Sequence, residues 1–111
     1  MKSTDRKAAV AAYKERKTVA GIYAVRCAAG GEQWVGQAPD VETIQNRLWF
    51  TLKLGSNPCR SLQAAWTAHG AAGLSFAVLE RLADEELAYI RAATLKARLA
   101  HWRTALGARL I

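Results

Sequence analysis

The chain has 111 residues, half of them hydrophobic (51%), which suits one domain around one core. No apolar run approaches the roughly 20 residues that cross a bilayer, and the opening residues lack the apolar segment of a signal peptide; with two thiols, Cys27 and Cys59, at no metal-like spacing, the chain reads as a protein of the reducing cytoplasm rather than of a membrane. The net charge of +7 and the pI near 9.9 suit an anionic partner such as nucleic acid.

That charge is uneven. Residues 1–17 carry six Lys/Arg against Asp5 and Glu15, and residues 91–111 carry five Lys/Arg and no acid, while the middle of the chain is slightly acidic. Residues 4–16 read as a helix: Ser3, Thr4 or Asp5 can cap its start, Ala8 to Ala12 has high helix propensity, and Val10 and Tyr13 are its contact points. We treat residues 1–18 as a helical extension ahead of the main domain, 19–111.

Two β-rich runs follow, Val19 to Cys27 and Gln33 to Val35, around the turn Ala28-Ala29-Gly30-Gly31, the pattern of a β-hairpin. If Cys27 pairs with Glu32, alternation puts Tyr23 opposite Gly36 and diagonal to Trp34. The glycine then leaves the tyrosine open to close approach. Pro39-Asp40 reads as a helix start with Asp40 as cap. Ile44, Leu48 and Leu52 form an apolar stripe, and Arg47 lies about 60° from it at 100° per residue. This helix ends near Gly55, and Arg60 to Ala68 forms a second one with Leu62 and Trp66 on one face and His69 as a C-terminal cap.

Leu74 to Leu82 reads as a third strand in which Phe76, Val78 and Glu80 share a face. Asp84-Glu85-Glu86 opens a long last helix, where acids favour the N-terminus. Its stripe is Leu95, Leu99, Trp102, Leu106 and Leu110, flanked by Arg91, Lys96, Arg98 and Arg103. The opposite side, with Ala93, Ala97 and Ala100, is small enough that a second chain could pack on it as a homodimer. The resulting fold class is α/β (α+β): a small three-stranded antiparallel sheet flanked by helices.

Gly21-Ile22-Tyr23 and Trp34-Val35-Gly36, with Asn46-Arg47, Leu62-Gln63-Ala64-Ala65-Trp66, His69-Gly70 and Phe76-Ala77-Val78-Leu79-Glu80 in that order, resemble the GIY-YIG nuclease family over roughly residues 20 to 90. The resemblance implies metal-dependent hydrolysis of DNA phosphodiesters. Such hydrolysis needs a water deprotonated, phosphoryl charge neutralised and a leaving oxygen stabilised. By resemblance, Tyr23 stands near the attacking water, Arg47 holds phosphate, and a glutamate holds Mg²⁺ or Mn²⁺. Glu86, four residues before Ile90, matches that glutamate locally, with Glu80 as the alternative ligand.

The chain departs from the pattern at several points. Trp34 replaces a tyrosine, and an indole N–H donates but exchanges no proton at neutral pH. Thr51 lies where many relatives carry His or Tyr. Asn57 stands for a His and Cys59 for an Asn, so Asn57 can bond a phosphate but cannot act as a general base. By resemblance, the expected catalytic set is Tyr23, Trp34, Arg47 and Asn57, and the expected nucleic-acid contacts are Arg60, Arg91, Lys96 and Arg98. Two rival readings remain open: a binding module on the same fold that has lost cleavage, and a protein-interaction domain.

Overall fold

The computed structural model describes residues 18–83 and 87–111. The helix expected over residues 4–16, and Asp84 to Glu86, lie outside the described residues. The elements are β1 (Gly21–Cys27), β2 (Gln33–Ala38), α1 (Ile44–Leu54), α2 (Arg60–His69), a 3₁₀ turn (Ala71–Gly73), β3 (Leu74–Arg81), α3 (Ala88–Leu106) and β4 (Arg109–Leu110).

The hairpin has the expected register. Cys27 N–H donates to Glu32 O at 2.8 Å, and Tyr23 pairs with Gly36. β3 adds antiparallel on the other side of β1. The sheet is not three-stranded, however, nor purely antiparallel. It has four strands in the order β3-β1-β2-β4, and β4 runs parallel to β2, with Trp34 opposite Arg109 and Val35 opposite Leu110. The last helix stops at Leu106 because Gly107 takes a left-handed φ of 60° and its N–H closes the helix end. Leu110 is thus a strand residue and does not extend the helical stripe.

The sheet separates two apolar layers. On one face, Tyr23, Val25, Cys27, Trp34 and Ala38 pack with Val41, Leu48, Leu52, Leu62 and Ala65, which brings α1 and α2 onto the sheet. On the other, Ile22, Ala24 and Val35 pack with Leu95, Leu99, Trp102 and Leu106 of α3. The strand period of two sends neighbouring residues of β1 to opposite layers, which is why Ile22 and Tyr23 never share one.

Asp40 caps a turn rather than a helix. Its carboxylate accepts from Glu42 N–H and from Thr43 Oγ1, both at 3.1 Å, and α1 starts only at Ile44. Among the described residues, no helix is long and apolar enough to cross a membrane.

Candidate active site

Tyr23 is the centre of the α1–α2 face. It is 4% exposed, and its ring stacks on Phe76 at 5.4 Å between centroids. Phe76 meets Trp49 of α1 edge-on at 6.2 Å, and Trp49 meets Trp66 of α2 edge-on at 5.4 Å. Four aromatic side chains from four elements therefore lie in one row. Gly36 does not leave the tyrosine open to an outside group, as its position in the sequence suggests. The phenol itself fills the space: a Cβ on Gly36 would lie 2.5 Å from the Tyr23 oxygen and 2.6 Å from Cζ. Burial, with a smaller contribution from the neighbouring Cys59, pushes the Tyr23 phenol up to about 12. At neutral pH it is a protonated hydroxyl.

Arg47 stands on α1 one residue before buried Leu48 and is itself exposed. Among the described residues it makes no ion pair, in contrast to Arg81, Arg98 and Arg109. A guanidinium so placed is available to an anion.

The other two members of the expected catalytic set serve the scaffold. Trp34 is fully buried, and its Nε1–H donates to Ser61 Oγ at 2.8 Å, tying β2 to the first turn of α2. The one donor of the indole is thus engaged within the scaffold. Asn57 is buried too, and both ends of its amide are used. Its Oδ1 accepts from Cys59 N–H at 2.8 Å and its Nδ2 donates to Thr51 Oγ1 at 3.0 Å. The loop between α1 and α2 is folded around this side chain, so both polar ends of the expected phosphate contact are engaged within the scaffold.

Glu80 is removed from the site by a bulge. Tyr23 pairs with Val78, yet Ile22 pairs with Glu80, so Leu79 is an extra residue in β3. Phe76 and Val78 remain on the tyrosine face, while Glu80 crosses to the α3 face with Ile22. There its Oε1 accepts from Arg98 Nε at 2.7 Å and Trp102 Nε1 at 2.9 Å. These bonds, the tryptophan's first, hold the carboxyl below its ordinary value. Gly21 permits the bulge, since a Cβ there would run into the Glu80 carbonyl. Glu80 therefore does not fit the role of metal ligand beside Tyr23. Among the described residues, no three His, Cys, Asp or Glu side chains gather where they could hold a metal, and Glu86 lies outside the described residues.

The expected nucleic-acid contacts divide between the two faces. Arg60 is exposed at the start of α2, on the Tyr23 side. Arg91, Lys96 and Arg98 belong to α3, across the sheet, and Arg98 is held by Glu80. What the sequence reading missed is the aromatic row and the Trp34–Ser61 bond. Trp49, Phe76 and Trp66 were visible as aromatic residues, but nothing local signals that three elements bring them together.

No family model and no curated protein matches the chain. Solved structures are similar to it. The catalytic domain of homing endonuclease I-TevI is similar with a TM-score of 0.69 at 23% identity, over 83% of this chain and 97% of that domain. A mutant of the catalytic domain of intron endonuclease I-TevI is similar with a TM-score of 0.68 at 23% identity, over 81% of this chain and 86% of that one. The chain thus has the fold of a GIY-YIG nuclease catalytic domain, the family that its Gly21-Ile22-Tyr23 and Trp34-Val35-Gly36 motifs resemble.

Proposed function

We propose that this chain is a DNA-directed nuclease domain that hydrolyses phosphodiesters, with Tyr23 and Arg47 at the reacting centre. The observation that carries the reading is the position of Tyr23. It lies on the sheet face covered by the helix bearing Arg47, in a fold shared with an endonuclease catalytic domain. Arg47 would neutralise charge on the phosphoryl oxygens, a task that needs an exposed and permanently charged group. Tyr23, held protonated, would orient the attacking water by hydrogen bonding rather than take its proton. Mg²⁺ or Mn²⁺, with Glu86 as the proposed ligand, would add Lewis-acid charge neutralisation when bound. The basic residues of both chain ends would supply sequence-independent affinity that falls as salt rises.

A second reading, a binding module without cleavage, is favoured by Trp34 and Asn57, whose polar groups are spent inside the scaffold. A cleavage assay on plasmid and branched DNA with Mg²⁺, Mn²⁺ or EDTA separates the two. Metal-dependent nicking that Arg47→Ala and Tyr23→Phe both abolish establishes the nuclease. Salt-sensitive binding with no nicking on any substrate establishes the binding module.

A further inference from the structure

Between Glu42 and Glu80 the chain contains no acidic residue. The helices of that stretch, α1 and α2, carry Arg47, Lys53 and Arg60. On α1, two large apolar side chains face solvent: Phe50 is 62% exposed and Leu54 is 64% exposed. At 100° per residue they lie about 40° apart on the helix, with Arg47 about 20° beyond Leu54 on one side and Lys53 about 60° beyond Phe50 on the other. Arg47 and Phe50 are three residues apart, a spacing that makes them neighbours on a helix surface. The ridge is thus an apolar pair bracketed by two cations, with no carboxylate on its helix.

We infer that this ridge binds an unpaired nucleotide of DNA, with Phe50 stacking on the base and Arg47 and Lys53 on the flanking phosphates; the inference rests on the DNA-directed reading above. An exposed phenyl ring gains little from an intact duplex, whose bases already stack on each other. It gains substantially where a base is free at a gap, bulge, branch or single-stranded end. The substrate class is therefore DNA with at least one unstacked base. A second copy of this chain is a poor occupant, because the ridge would set Arg47 and Lys53 against the same cations. Residues 1–17, with six Lys/Arg against two acids, meet the same repulsion.

The test is fluorescence anisotropy in EDTA, where no cleavage intervenes, with a labelled duplex and the same duplex carrying a short gap. The parent should prefer the gapped probe. Phe50→Ala should lose about tenfold in affinity for the gapped probe, and change by less than about twofold on the intact duplex. Phe50→Trp should keep the preference, and Arg47→Ala should weaken both probes alike. Phe50 is exposed, so Phe50→Ala should melt with the parent. Retained preference in Phe50→Ala overturns the inference and leaves the nuclease reading standing. A parent that binds neither probe overturns both. A parent dimer that Phe50→Ala dissociates in size-exclusion chromatography makes the ridge a self-contact and overturns the inference.

Discussion

Asn57 Nδ2 donates to Thr51 Oγ1 at 3.0 Å, so two positions that depart from the GIY-YIG pattern are bonded to each other. Thr51 passes its own proton back to Leu48 O at 2.8 Å, and Asn57 Oδ1 holds Cys59 N–H ahead of α2. The pair closes the α1–α2 loop. Asn57→Ala should cost about 2 kcal/mol of stability, because it takes the acceptor from the part-buried Cys59 N–H and the donor from Thr51 Oγ1 at once. Thr51→Val should cost about 1 kcal/mol, and the double variant should fall short of the sum by about 0.5 kcal/mol or more. Urea denaturation of the four proteins checks this. A drop in cleavage without loss of stability in Asn57→Ala would instead make Asn57 a substrate contact.

Trp34→Tyr brings the sequence nearer the GIY-YIG motif in name only. The smaller ring leaves a void in a fully buried site and moves the donor away from Ser61. The variant should lose about 2 kcal/mol and show no gain in nicking. Thermal melts and the plasmid assay read both effects.

Gly36→Ala tests the seat of the tyrosine. The new methyl would collide with the phenol ring, so the ring must move or β2 must bend. A cost of about 1 to 3 kcal/mol is expected, with a changed near-UV circular dichroism signal from the displaced Tyr23–Phe76 stack. An unaltered spectrum and melting temperature would show that the ring has room elsewhere.

Tyr23 should ionise near 12 rather than 10.0. A phenol whose folded value is raised adds stability that is complete below the unfolded value and lost as pH climbs through the folded one. The window is therefore pH 10 to about 12, and the loss across it is about 2 to 3 kcal/mol. Phenolate absorbance, taken as parent minus Tyr23→Phe, isolates the residue. Titration of that difference near 10 would mean that the phenol is open to water.

Glu80 behaves in the opposite sense. Its folded value is depressed, so its contribution is present above the ordinary value of 4.5 and disappears as pH falls through the lower folded one. Glu80→Gln should melt below the parent at pH 7, by about 1 kcal/mol given a partly exposed pair, and the gap should close in acid. A constant gap would assign the effect to packing rather than charge. Because Glu80 faces α3, the same variant should leave any metal-dependent nicking intact.

Much of the fold was legible in the chain, because the period-two and period-3.6 patterns act locally. The turn at residues 28–31 and the alternation around it were enough for the hairpin register, and Gly55 marked the end of α1. Three features were not legible, each for a non-local reason. β4 is two residues long and is made by backbone pairing with β2, so apart from Gly107 no side-chain pattern announces it. The partner of Trp34 is 27 residues away in sequence. The side of the sheet on which Glu80 falls depends on Leu79 having no partner in β1 while its side chain still packs on the α3 face, and alternation counts one residue per step. Of the candidate site, Tyr23 and Arg47 were readable from motif position. The roles of Trp34 and Asn57 emerge only from their bonding partners.

The bulge at Leu79 acts as a parity switch. Everything in β3 before it is counted odd-even with Tyr23, and everything after it is counted the other way. Plain alternation through Leu79 would swing Glu80 through the sheet, strip Arg98 and Trp102 of their acceptor, and bring a carboxylate up beside the tyrosine and its aromatic neighbours, whereas deleting Leu79 would leave Glu80 next after Val78 and still opposite Ile22 on the α3 face. The charge on this strand is thus assigned to one half of the molecule by a one-residue step in register, with no change in the carboxylate itself.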